Sequence, residues 1–357
     1  MNLMLATKYD IAWEGLNSEL KLHEESKGLL TDALLELELH QKRSGFIQDD
    51  LTRISRYTFV HDEYPFRYLR VQFNPRRALR FNGSGIMVPP DGMSRVNDGC
   101  FLCRDNIQWQ QQGKEIGYEI EVGDYQYYAW MNPFPLLPCH VVISTRDHIA
   151  QEWELHPDGK LTLKRLIGNL VELAQRLPGF IGFYNGLNAG ASIPGHMHYQ
   201  FCRRPEENML FPLEQAERDF TAFDDTSIVH HYPLSVAAWH GEPGEIVDHA
   251  IDWVRYWADQ NISHMHHLTG NFIVTTDPDS HELSLFFAPR DRRRSRSNRM
   301  TGLVGGLEVM GEMVFSTEAE RIAISSGRLN YESLEKIYND VYTPFFMDKP
   351  AHLGREL

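Results

Sequence analysis

Leu and Ala recur at helical intervals among Glu, Lys and His over residues 14–42, which predicts an amphipathic helix. From Tyr57 to about Asn74 the pattern turns to aromatic and β-branched residues, and a strand is expected. "RFNGSGIMVPPDGMSRVNDG" (80–99) reads as loop from its Gly, Pro, Asn and Asp. "GYEIEVGDYQYYAWMNPFPLLPCHVVIST" (117–145) reads as strands broken at Gly-Asp and at the prolines. Residues 159–177 carry Leu, Ile and Val at i, i+3 and i+4 and stop at Pro178-Gly179, a helix with a clear end. "FIGFYNG" and "HMHYQFCRR" read as two strands joined by the turn "LNAGASIPG". A second section follows residue 206, with a helix near 245–260, strands at "NFIVTTD" and "ELSLFFAP", and a final helix near 330–345. The expectation is an α+β protein in three parts: a helical segment (1–57), a central unit (58–205) and a C-terminal α+β section (206–357).

Composition narrows the function classes. In 357 residues, 42% hydrophobic and 11% aromatic content can build a substantial core, and the mean hydropathy of -0.41 fits a soluble chain. A net charge of -14 argues against a nucleic-acid partner, which needs a surplus of Lys and Arg facing phosphates. Small phosphorylated ligands need only a local basic cluster. The N-terminus has no basic segment followed by an apolar one, and no stretch approaches 18 uninterrupted apolar residues, so neither a secretory leader nor a membrane span is expected. Four cysteines do not make a disulfide framework, but Cys100 and Cys103 form a CxxC pair suited to metal or redox chemistry. A cytoplasmic location is the simplest expectation.

The sharpest chemical signal lies in "YNGLNAGASIPGHMHYQFC" (184–202). Side chains at i, i+2 and i+4 of a strand share a face, so His196, His198 and Gln200 form one row and Met197, Tyr199 and Phe201 pack on the other side. Neutral imidazole serves as a metal ligand or a nucleophile, and a glutamine amide can bond phosphate oxygens. The preceding "NAGAS" can offer backbone N–H groups and a hydroxyl to an anion. Among 17 histidines a pair at i, i+2 also arises by chance, so the pair alone does not decide.

The whole pattern, N-G-x-x-x-G-A-S-x-x-x-H-x-H-x-Q, resembles the active-site signature of the histidine triad superfamily. Its glutamine resembles the transferase branch, which includes galactose-1-phosphate uridylyltransferase, diadenosine tetraphosphate phosphorylase and GDP-sugar phosphorylases; hydrolases of the superfamily carry a third histidine there. With "QFNPRR" and "CFLC" in the expected order, residues 57–205 look closest to a bacterial branch catalogued mainly as a domain of unknown function. The resemblance implies an antiparallel sheet with flanking helices, a C-terminal section that is a degenerate second copy, and a homodimer. It implies His198 as the nucleophile that takes up a nucleotidyl group and Gln200 as a ligand of the phosphoryl oxygens. Asn185, Gly190 and Ser192 would bind substrate, Ser192 standing one residue farther from the first histidine than in most relatives. It further implies a structural zinc ion on Cys100, Cys103, His148 and His196, with His140 the rival for His148's place. "PFPLLPCHVVISTRDH" resembles a further strand of the superfamily, with Cys139 in the place of a glycine.

Arg76, Arg77 and Arg80 could clamp phosphates through bidentate hydrogen bonds or sit on a solvated strand end. Arg290, Arg292, Arg293 and Arg294 could reach the ligand from the second section, although charge runs are usually solvated. "SHMHH" (263–267) lacks the glycine-rich turn and reads as structural. The expected function is transfer of a nucleoside monophosphate from a nucleoside diphosphate sugar or a dinucleoside polyphosphate to phosphate or a sugar 1-phosphate. The alternatives are a non-catalytic, zinc-stabilised nucleotide-binding protein, a histidine-triad hydrolase, and a dithiol redox protein.

Overall fold

The computed structural model describes residues 7–347 except 50, 83–84, 155–160, 207–208, 222–224, 278–279, 281 and 301. The N-terminal amphipathic stretch is two helices, α1 (Lys8–Lys27) and α2 (Leu30–Arg43), rather than one. Thr7 and Asp10 close a reciprocal capping box that starts α1 six residues earlier than the apolar repeat suggests, and Gly28 ends it at φ 74°, where a glycine costs least. The expected strand from Tyr57 is a hairpin, β1 (Ser55–Val60) and β2 (Tyr68–Phe73), with Ser55 opposite Phe73. The following loop opens with a 3-10 segment at Pro75–Asn82 and leads through the CxxC into α3 (Arg104–Gln110). Seven residues are too short for a periodic signal, which is why α3 was not expected.

Strands β3 (Tyr118–Val122), β4 (Tyr125–Met131) and β5 (Val141–Thr145) break where Gly-Asp and the prolines predicted. They are followed by α4 (Leu163–Arg176), β6 (Phe180–Asn185) and β7 (His198–Arg203). Helix α4 starts at Leu163 because the Thr162 hydroxyl accepts from the Arg165 N–H; the predicted residues 159–160 lie outside the described ones. The second section runs β8 (Arg218–Phe220), β9 (Ser227–Val229), β10 (Ala237–Gly241), α5 (Pro243–Gln260), β11 (Leu268–Thr276) and β12 (Leu283–Asp291). The chain continues through α6 (Gly306–Val309), β13 (Glu312–Phe315), α7 (Glu318–Ser325) and α8 (Tyr331–Val341). The final helix falls where its periodicity placed it; β13 and α7 carry too few residues to have shown themselves.

Ten strands form one antiparallel sheet in the order β3-β4-β5-β7-β6-β11-β12-β10-β9-β8. From either edge inward the sequence is first, second, third, fifth and fourth strand, and in both halves the helix lies between the third and fourth. The halves meet along β6 and β11, with Asn185 opposite Asn271. The architecture is α+β and duplicated, and the repeat is one of topology that the residues themselves do not display.

Helices α4 and α5 pack together on one face, burying Leu166, Ile167 and Leu170 with Val254 and Trp257 over Tyr184, Tyr199, Phe272 and Phe287. Each such side chain contributes roughly 1.5–3 kcal/mol by leaving water. The opposite face is covered by a small sheet of order β1-β2-β13 and by α6 and α8, around Val71, Ile181, Phe183, Ile273 and Tyr338. No helix among the described residues is long and apolar enough to cross a membrane.

Candidate active site

Tyr199 and Phe201, with Met197 just before the strand, point into the helix-covered core. Strand alternation then sends His198 and Gln200 to the other face, where they line a cavity of about 620 Å³. Of the three residues of the expected row, His198 and Gln200 line the cavity, and His196, two residues before the strand, does not. Asn185, Gly190, Ser192, Arg77 and Arg80 line the same cavity.

His198 is 2% exposed, and its Nδ1–H donates to the His196 carbonyl at 2.8 Å. That bond fixes the tautomer and leaves the Nε2 lone pair uncommitted. Burial pulls the imidazole down to about 4, so near neutral pH it is uncharged. Gln151, which the sequence did not single out, clamps this region. Its Oε1 accepts from the His198 N–H at 2.6 Å, and its Nε2 donates to the carbonyls of His198 and Asn185, each at 2.9 Å.

Gln200 is oriented by His140. The Leu136 N–H donates to His140 Nδ1 at 3.1 Å, so His140 carries its proton on Nε2 and donates it to Gln200 Oε1 at 2.9 Å. The Gln200 amide N–H groups are left to donate elsewhere. Burial, and then the nearby Arg77, hold the His140 imidazole down to about 3. Both His140 nitrogens are thus engaged with Leu136 and Gln200. Cys139 adopts φ 46°, a left-handed conformation that glycine takes more easily.

The turn between β6 and β7 comes close to the second half of the chain. Gly190 has φ 97°, and a Cβ there would lie 2.5 Å from the Gly305 Cα, so only glycine fits. The Asn185 Oδ1 accepts from Asn271 Nδ2 at 2.8 Å, and the Asn271 Oδ1 accepts from Arg290 Nη1 at 2.9 Å. Arg290 is fully buried and reaches the site through Asn271 and through the Val304 carbonyl, to which its Nη1 donates at 2.8 Å.

The other arginines separate. Arg77 donates to the Phe134 carbonyl, its Nε has no protein partner, and burial lowers it to about 9. Arg76 does not line this cavity; its Nη1 donates to the Gln48 carbonyl at 2.7 Å. Arg292 pairs with Glu152, Arg293 with Asp291, and Arg294 bonds the Tyr342 carbonyl, so none of the three lines the cavity. Arg296 of the same run does line it, together with Glu308. The "SHMHH" residues lie in a 3-10 segment, Ile262–His267, between α5 and β11, away from the cavity.

Cys100, Cys103, His148 and His196 gather with all four ligand atoms within 4.8 Å of one another. Cys100 Sγ lies 3.4 Å from His196 Nδ1, and Cys103 Sγ lies 3.4 Å from His148 Nδ1 and 3.7 Å from His196 Nδ1. A tetrahedral ion with metal–sulfur and metal–nitrogen bonds of about 2.3 and 2.0 Å requires sulfur–nitrogen separations of about 3.5 Å, so the four residues fit a metal. The His196 Nε2–H donates to the Thr145 carbonyl at 2.7 Å, which turns Nδ1 toward the cluster as an outer support does for a ligating histidine.

The sheet and site define a duplicated α+β fold with the histidine row on one half. Crystal structures of the yeast Ap4A phosphorylase Apa2 share this fold. One matches with TM-score 0.57 at 14% identity, covering 90% of this chain and 96% of the yeast chain. The structure with AMP gives 0.55 at 15% identity over 87% and 96%, and that with Ap4A gives 0.53 at 14% over 87% and 97%. A family model described only as a domain of unknown function, DUF4922, matches residues 40–203. No match is found among curated proteins.

Proposed function

We propose that the protein is a nucleotidyltransferase of the phosphorylase type that works through a nucleotidyl-His198 intermediate. The observation that carries this reading is the fixed His198: its Nδ1–H is committed to the His196 carbonyl, it is neutral, and it stands in a cavity beside the Gln200 amide. In the first step Nε2 attacks the α-phosphorus of a nucleoside diphosphate sugar or a dinucleoside polyphosphate. A nitrogen–phosphorus bond forms, the bridging phosphorus–oxygen bond breaks, and a sugar 1-phosphate or a nucleotide leaves. Phosphate or a sugar 1-phosphate then attacks the same phosphorus and frees Nε2. Charge growing on the α-phosphoryl oxygens would meet the Gln200 amide, Arg77 and Arg80, and the backbone around Gly190, positioned before the reaction begins.

The metal we assign to Cys100, Cys103, His148 and His196 is zinc, which would tie the end of β7 to the CxxC segment when bound. The yeast protein of the same fold is named for Ap4A and was crystallised with AMP and Ap4A, which supports a small nucleotide as ligand here. The reading is tested by initial-rate phosphorolysis of both donor classes. Parallel double-reciprocal lines as donor and phosphate are varied support the two-step exchange. Intersecting lines, or hydrolysis with no use of phosphate, contradict it.

A further inference from the structure

Strands β6 and β7 pair only as far as Phe183 with Gln200. The pairs advance one residue at a time from Phe180 with Arg203, so continued pairing would set Asn185 opposite His198. Both residues belong to these strands, yet they do not pair with each other. Each keeps the strand on its other side, Asn185 with Asn271 of β11 and His198 with Ser144 of β5. The sheet is therefore split at the proposed nucleophile.

The fully buried side chain of Gln151 fills the split. Its Oε1 accepts from the His198 N–H at 2.6 Å, and its Nε2 donates to the Asn185 and His198 carbonyls, each at 2.9 Å. These are groups that a hydrogen-bonded strand pair exchanges directly, and buried backbone groups need such partners. One acceptor oxygen and two N–H donors make the glutamine amide their match. Gln151 is itself anchored: its N–H donates to the Pro194 carbonyl at 2.9 Å, and the Ile149 carbonyl accepts from the Met197 N–H at 2.7 Å.

We propose that Gln151 is a positioning residue whose amide holds β6 and β7 apart at His198 and fixes the backbone from which the imidazole attacks. The ring is tied to that backbone by its Nδ1–H bond to the His196 carbonyl, so Nε2 moves with residues 196–198. Asn185 and His198, the two sides of the split, both line the cavity. Without the amide the strands can close on each other or drift, and a displacement of about 1 Å at a reacting atom costs on the order of a hundredfold in rate.

The assignment rests on the proposed transfer through His198, and the experiment separates the two. The substrate is the first of Ap4A, ADP-glucose, UDP-glucose and GDP-glucose that wild type converts in the presence of phosphate. Two variants are compared with wild type in kcat, KM and metal content. Gln151→Met has similar length and none of the three bonds. Gln151→Glu, its carboxyl kept protonated by burial among carbonyls, retains one acceptor and one donor. In Gln151→Met kcat should fall about a hundredfold, with KM within about threefold of wild type and metal content unchanged; Gln151→Glu should fall between the two. A kcat within about threefold of wild type in both variants overturns the assignment and leaves the transfer reading standing. Loss of metal, or a raised KM at unchanged kcat, makes Gln151 a support of the cluster or of substrate binding and also overturns it. Failure of both variants to fold makes it a structural strut, with the same consequence. If only Gln151→Met misfolds, Gln151→Glu decides: a lowered kcat at unchanged KM and metal content supports the assignment. Wild type that converts none of the four donors removes the transfer reading and this assignment with it.

Discussion

The two halves of the ten-stranded sheet share one strand order and one helix position, yet they carry different chemistry. In the first half, β7 presents His198 and Gln200 to a cavity, and the side chains of Cys100, Cys103, His148 and His196 gather just before that strand. Its topological counterpart in the second half, β12, reads Leu-Ser-Leu-Phe-Phe-Ala-Pro-Arg-Asp and contains no histidine. The second half has the same kind of packing, with Phe272, Leu285 and Phe287 buried in the helix-covered core, and carries no histidine row on β12. What remains of its polar core is directed across the seam, where Arg290 holds Asn271 and Asn271 holds Asn185. Duplication preserved a frame; the site occupies one copy and is supported by the other.

Four substitutions and one metal-removal experiment break or sharpen that contrast. The largest effect belongs to the reactive row itself. His198→Ala should lower turnover on the order of a thousandfold or more with little change in the melting temperature, since a lost nucleophile has no substitute in β12. A loss of less than tenfold would mean that the row is not where the chemistry happens.

Metal removal comes next. Elemental analysis should find one metal ion per chain, and none in Cys100→Ser/Cys103→Ser, with a fall in thermal stability because the CxxC segment loses its anchor. Wild-type protein purified under reducing conditions that holds no metal yet melts as before would contradict the cluster's structural role.

The seam is tested by Arg290→Leu. Removing a charged donor from Asn271 should reduce kcat about 10- to 100-fold while metal content stays at the wild-type value. An unchanged kcat would show that the second half is only packing.

A smaller effect concerns acid stability. The folded pKa of His140 is about 3, below the unfolded value of 6.5, so the unfolded chain binds a proton that the folded one refuses. The stability this histidine contributes is complete above pH 6.5 and is lost as pH falls toward 3. His140→Gln should therefore flatten part of the decline in melting temperature between pH 6.5 and 4; an equally steep decline would contradict the burial effect. The smallest effect is expected at His240, on the outer strand region of the second half, where alanine should change turnover by less than about threefold.

The sequence made legible whatever repeats. Period two in β7 set His198 and Gln200 on one face, and the CxxC with the superfamily resemblance brought His148 and His196 to one cluster. Single polar residues without a pattern were not legible. Gln151 and Asn271 matter because other chain segments cross them, and nothing in their own neighbourhoods marks them. Arg76 and Arg77 are adjacent and alike in sequence, but the 3-10 turn at Pro75–Asn82 aims one at Gln48 and the other at the cavity. The duplication was legible only through the resemblance, not from the residues themselves. It survives in the order of strands, and the residues that fill the two copies have diverged.

The central claim, a covalent bond between a nucleotide and His198, is tested most directly by intact mass. Wild type and His198→Ala are mixed with donor in the absence of acceptor and recorded at neutral to alkaline pH, where a phosphoramidate survives. The account predicts a nucleoside-monophosphate adduct on wild type that maps to His198 after digestion, none on the variant, and disappearance of the adduct when phosphate is added. Turnover by wild type with no adduct under any donor, or an adduct that persists in His198→Ala, would contradict it.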